Sequence, residues 1–183
     1  ITGEASPLEG SVFIDDHDST QIHPYTWRGQ MGIVPQSPHF FAGSIRDNIL
    51  LGRQSITEQD LDEALEITGF DLFIKQTGQG LDYDVGEGGD NLSGGQKQAI
   101  ALIRAIVHKP SMVVFDEPTN GMDHALELQV MDRLRSFLKD RTFIMITHRT
   151  TLLPLVERLV LLNRGQIVAD GPRDEVIKHL AGN

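Results

Sequence analysis

The chain contains no cysteine, which excludes disulfides, thiolate metal sites and cysteine nucleophiles. Nowhere in its 183 residues does a glycine precede a lysine. It therefore holds no Gly-rich Lys-Ser/Thr loop of the kind that cradles the phosphates of a nucleotide. No apolar run reaches the ~18 residues needed to span a bilayer. Basic residues are scarce, 16 Lys and Arg against 26 Asp and Glu, and the net charge of −10 argues against a nucleic-acid partner. No secretory signal opens the chain, and Ile1 is not a start methionine; the first residues read as the interior of something longer. What is present suffices for one domain: 39% of the residues are apolar, too many for a disordered chain.

Strand signals occur at 11–14, after a Pro7–Gly10 turn, and at 31–34, stopped by Pro35. From Gln36 onward the pattern becomes helical. A short helix is expected over 44–49. A second begins at Thr57, with acidic residues in its first turn, and ends at Gly69. Residues 78–92 form a glycine-rich loop. A helix over 94–108 follows, with Ala99, Ile103, Ile106 and Val107 along one side. The solid apolar runs 112–115 and 143–146 read as strands buried on both faces, separated by a helix over 124–139 with Leu126, Val130, Leu134 and Leu138 inward. Asn163-Arg164-Gly165 signals a hairpin, and 174–180 a closing helix. Strand, helix, strand implies a parallel α/β sheet.

Buried parallel strands present functional groups at their C-terminal ends. Gln36, the Asp116-Glu117 pair and His148 all fall there. Asp116 can hold Mg²⁺, which takes few carboxylates and completes its shell with phosphate oxygens and water. Glu117 can polarise a water for in-line attack, although such a pair more often merely opens the next helix. His148 can steady charge on a phosphoryl oxygen, and Gln36 can touch a metal or position water. Each of these two is by itself more often an ordinary loop residue. Ser93-Gly94-Gly95 opens a helix; Ser93 is a natural cap, and the glycines leave the N–H groups open to a phosphate.

Together, "NLSGGQKQ", "MVVFDEPT", "NGMD" and "THR", in that order, resemble the ATPase domain of the ATP-binding cassette (ABC) family. Asp116 follows Gln96 by 20 positions and His148 follows Glu117 by 31, both as in that family. The resemblance covers the whole chain. It implies an α/β fold of the P-loop NTPase (RecA-like) type, a parallel sheet core with an inserted helical subdomain. Residues 1–36 would be the remainder of the N-terminal part of the core, 37–107 the helical subdomain ending in the signature helix, and 108–183 the C-terminal part of the core.

The roles implied are catalytic for Glu117, His148 and Gln36, and metal-binding for Asp116 and Gln36. Ser93, Gly94, Gly95 and Gln96 of the signature, with Asp123 of the D-loop, would face the nucleotide. The cofactors implied are ATP and Mg²⁺. The partners implied are a second cassette in a head-to-tail homodimer, whose γ-phosphate the signature would contact, and a membrane-spanning domain. No nucleic acid is expected.

Segments such as "VPQSPHFFAGSIRDNI" resemble the exporter class, and "THRTTLLPLVERLVLL" and "GQIVADGPRDEVI" bacterial type I secretion exporters. Those would work at the cytoplasmic face of the bacterial inner membrane, this chain itself being soluble. The departure from the family lies at the start, where only residues 1–3 match the helix after the Walker A loop. The chain reads as a cassette beginning just past that loop, expected to bind ATP weakly and to self-associate. The alternatives are a soluble ABC ATPase of DNA repair or translation, and a non-catalytic cassette that lends its signature to an intact partner.

Overall fold

In a computed structural model, residues 2–3 and 5–181 are described, the side chain of Ala181 excepted. The elements are β1 (Phe13–Ile14), β2 (His17–Asp18), α1 (Pro24–Arg28), β3 (Met31–Val34), α2 (Ile45–Leu50), α3 (Glu58–Thr68), α4 (Asp71–Thr77), α5 (Gly94–Ile106), β4 (Met112–Asp116), α6 (His124–Leu138), β5 (Thr142–Ile146), β6 (Arg158–Asn163), β7 (Gln166–Pro172) and α7 (Arg173–Ala181). The framework is a parallel sheet in the order β3-β4-β5, with Val34 opposite Phe115 and Asp116 opposite Ile146. Because the three strands run the same way and nearly in register, they end at one rim.

β4 is the central strand, and Val113, Val114 and Phe115 are buried, as a solid apolar run requires. β5 differs from the sequence expectation. Phe143, Ile144 and Met145 are only half-buried, and Ile146 is exposed; β3, equally an edge strand, is buried because α5 packs on it, whereas β5 packs mainly against β4 among the described residues. The expected strand at 11–14 shrinks to Phe13–Ile14, paired with His17–Asp18 around a tight turn in which Asp15 and Asp16 both take positive φ.

α5 is buried nearly all round rather than along one side: Gln98 and Ala99 through Ile103 are buried, with Ala105 and Ile106. It crosses β3 so closely that a Cβ on Gly32 would lie 2.0 Å from the Ala105 carbonyl oxygen, and only glycine permits this crossing. α6 packs Val130, Met131, Leu134, Phe137 and Leu138 inward, and Glu127 with them, while Leu126 is only half-buried.

Helix starts follow their caps. Thr57 and Asp60 form a reciprocal capping box, as do Ser44 with Asp47 and Ser93 with Gln96. α3 ends at Gly69 in the left-handed conformation. The β6–β7 hairpin turns at Arg164 and Gly165, both with positive φ, matching the sequence signal. Of the expected helix remnant at 1–3, Ile1 lies outside the described residues. Thr2 and Gly3 are not helical; their carbonyl oxygens accept from Arg28 Nε at 2.9 Å and Nη2 at 2.8 Å.

Candidate functional site

Glu117 directly follows β4 and His148 lies two residues past β5. The structure brings them into contact. Glu117 Oε1 lies 2.7 Å from His148 Nδ1 and accepts from the His148 backbone N–H at 3.0 Å, while Thr147 Oγ1 donates to Oε2 at 3.2 Å. The carboxylate is largely enclosed, whereas the imidazole is 83% exposed, so one partner is fixed and the other faces solvent.

Glu117 also has unusual backbone geometry, with φ of 47°. For a residue with a β-carbon this costs on the order of 1–2 kcal/mol. It is held there from two sides. Its N–H donates to the Ile146 carbonyl of β5 at 2.9 Å, and its carbonyl accepts from Gln98 Nε2 of α5 at 3.2 Å. Strain pinned by neighbouring elements, at a strand end, is the pattern of a prepared site.

Asp116, opposite Ile146 at the end of β4, is half-buried. Among the described residues no three His, Asp or Glu side chains cluster into a metal cage. A single carboxylate here fits Mg²⁺ shared with phosphate oxygens and water rather than a cation held by protein alone. Gln36 lies two residues past β3 on the same rim, in an exposed stretch, and the structure shows it bonded to neither Asp116 nor Glu117.

Ser93 and Gly94 are exposed at the start of α5, and Gly95 is buried. The glycines have a reason within the chain itself. A Cβ on Gly95 would lie 2.9 Å from the Gly121 carbonyl oxygen, and one on Gly121, whose φ is +78°, would lie 3.0 Å from the Gly94 carbonyl carbon. The α5 start and the loop after Glu117 thus touch backbone to backbone. Gln96 closes the cap of α5, its side-chain oxygen accepting from the Ser93 N–H at 2.7 Å. Asp123 has a structural task too: its carboxylate caps α6, accepting from the Leu126 N–H at 2.9 Å.

Comparison with known proteins shows the family. The family model described as ABC transporter matches residues 1–120. The chain belongs to the ABC transporter family. This ABC chain is 37% identical, over 96% of its own length and 19% of the other's, to ABC transporter B family member 1 of Dictyostelium discoideum. It is 36% identical to the Toxin RTX-I translocation ATP-binding protein of Actinobacillus pleuropneumoniae, over 93% of its length and 24% of that protein's. The structure of a bacterial Atm1-family ABC exporter with ATP bound superposes on it with a TM-score of 0.92 at 30% identity, covering 97% of this chain and 31% of that one. The fold is therefore that of the ABC ATPase, and the chain spans less than a third of each of these three proteins. No helix among the described residues is long and apolar enough to cross a membrane.

Sequence reasoning gave no role of their own to Gln98 or Glu127, and named Gly121 only within the "NGMD" motif. Glu127 had a legible signal. It shares its helical face with Val130, Met131, Leu134 and Leu138, so a carboxylate interrupts an apolar stripe. A charge there requires partners.

Proposed function

We propose that this chain is the ATP-hydrolysing cassette of an ABC exporter, and that Glu117 is its general base. The observation that carries the reading is the Glu117–His148 pair at the C-terminal rim of a parallel sheet, beside Asp116. Oε1 of Glu117 already accepts two donors from His148, which leaves Oε2, with one long contact from Thr147, as the atom to take the proton from an attacking water. With Nδ1 turned to Glu117, His148 presents Nε2 to the transferring phosphoryl group. Bound Mg²⁺·ATP supplies the electrophilic γ-phosphate; Asp116 would hold the metal, with Gln36 next to it positioning water. The α5 start, Ser93, Gly94, Gly95 and Gln96, of which Ser93 and Gly94 are exposed, would face the γ-phosphate held by a second cassette, with Asp123 near the same interface.

The reading makes residues 1–36 and 108–183 parts of the ATPase core and 37–107 the helical subdomain. It implies a head-to-tail homodimer, a membrane-spanning partner domain and work at the cytoplasmic face of a bacterial inner membrane. The similarity to a toxin-translocation ATP-binding protein supports type I secretion of a polypeptide as the transport task.

The test is ATP turnover by the full-length protein that contains this chain, reconstituted in lipid. Glu117→Gln should lower kcat by about 10²–10⁴-fold, a loss of roughly 3–5 kcal/mol of barrier stabilisation. Turnover within a factor of two of the unmodified protein would remove Glu117 from the role.

A further inference from the structure

Glu127 is 1% exposed, on α6, outside the rim just described. Its carboxylate gathers donors from two other segments. Oε2 accepts from Thr119 Oγ1 at 2.6 Å and from Arg149 Nη1; Oε1 accepts from Thr151 Oγ1 at 2.8 Å and lies 3.9 Å from His124 Nδ1. Thr119, itself fully buried, comes two residues after Glu117. Arg149 comes one residue after His148. A single buried carboxylate therefore holds the segment leaving β4 and the segment leaving β5, the two that deliver Glu117 and His148 to each other.

We infer that Glu127 is a positioning residue, whose carboxylate clamps Thr119 and Arg149 so that the Glu117 carboxylate and the His148 imidazole meet. The inference deepens the ATPase reading and rests on it only for its kinetic arm. The physical reason is directional. A buried carboxylate has no water to turn to, so its charge is satisfied only if both loops keep their donors aimed at it. The ion pair with Arg149 and the two hydroxyl bonds form one network, in which loss of a member loosens the rest. A glutamine has the same shape but one acceptor oxygen, so it cannot accept from Thr119, Arg149 and Thr151 as the carboxylate does.

The test reads the His148 ring in this 183-residue chain by long-range proton–nitrogen correlation, which reports which imidazole nitrogen carries the proton. The unmodified chain should show the Nδ1–H form, donating to Glu117. Glu117→Ala, which removes the acceptor, sets the signature of a released ring. Glu127→Gln should move His148 most of the way to that endpoint with the far-ultraviolet circular dichroism unchanged. Thr119→Val should move it in the same direction, and Thr119→Ser, which keeps the hydroxyl, should hold the unmodified signature. Should Glu127→Gln not fold, the Thr119 pair decides the matter alone. An unchanged His148 signature in folded Glu127→Gln, or in Thr119→Val, overturns the inference.

In the reconstituted full-length protein, Glu127→Gln should lower kcat about tenfold or more while the KM for ATP stays within about twofold, since the residue touches no substrate. If the unmodified protein hydrolyses no ATP yet the imidazole coupling is present, the ATPase reading fails and the positioning role stands. If turnover and the imidazole signature both survive Glu127→Gln, the positioning role fails and the ATPase reading stands.

Discussion

The Gln98 side-chain amide donates to the backbone carbonyl of Glu117 at 3.2 Å, so the helix that begins at Ser93 is bonded to the strained residue at the end of β4. Gln98 is buried at 3% exposure, in a helix that is otherwise almost wholly apolar on its inner side. Gln98→Leu keeps the volume and removes the donor, leaving the Glu117 carbonyl without it. The expected loss is about 1–3 kcal/mol, read as a lower urea midpoint. The same variant should reduce ATP turnover in the full-length protein more than a stability loss of that size does alone. A midpoint equal to that of the unmodified chain would show the bond to be unimportant.

Two glycine positions should rank in order. Gly32→Ala drives a methyl to 2.0 Å from the Ala105 carbonyl oxygen, backbone against backbone in the centre of the sheet–helix interface. Gly95→Ala places its methyl at 2.9 Å from the Gly121 carbonyl oxygen, on a loop with more room to shift. The alanine also gains roughly 0.5–1 kcal/mol of helix preference at Gly95. Gly32→Ala should therefore be the more damaging, by about 1–3 kcal/mol or more from overpacking. Thermal unfolding checks the order, and the reverse order would contradict the packing described.

The pH dependence of stability should carry a Glu127 component. Burial pushes this carboxyl up, but hydrogen bonds from Thr119, Thr151 and Arg149, with the Arg149 charge, outweigh it, and the net shift is below the ordinary 4.5. The folded chain then binds fewer protons than the unfolded chain in that interval, so stability rises with pH there. The contribution is complete above about pH 4.5 and is lost as pH falls through the lowered value. Urea midpoints measured from pH 6 down to pH 3 should fall less steeply in Glu127→Gln than in the unmodified chain. Equal slopes would show that this carboxyl does not contribute.

Asp123 separates capping from charge. Asp123→Asn retains an acceptor for the Leu126 N–H, and asparagine caps about as well as aspartate. Its urea midpoint should match that of the unmodified chain, whereas Asp123→Ala should lose about 1 kcal/mol. Any fall in ATP turnover specific to Asp123→Asn then reports the negative charge at the proposed subunit interface rather than the helix end.

The residues along the chain were sufficient to place most elements. The caps at Thr57 and Ser93, the stop at Gly69, the Arg164-Gly165 turn and the apolar runs at 31–34 and 112–115 were legible because each depends on chemistry within a few positions. Weaker local signals were missed: α1 and α4 are short, of 5 and 7 residues, and carry few periodic apolar positions. The half-burial of β5 could not be read from its composition, since an apolar run looks alike whether or not a helix covers its strand, as α5 covers β3.

By itself the sequence determined which side chains stand at strand and helix ends, because propensity, capping and turn geometry act over a handful of bonds. Only the tertiary structure decided that Glu117 meets His148, that Gln98 holds the Glu117 carbonyl, and that the Glu127 charge is buried between two loops. Those contacts join residues 31, 19, 8 and 22 positions apart. They exist because parallel strands in register deliver distant segments to one rim, where burial removes water as an alternative partner.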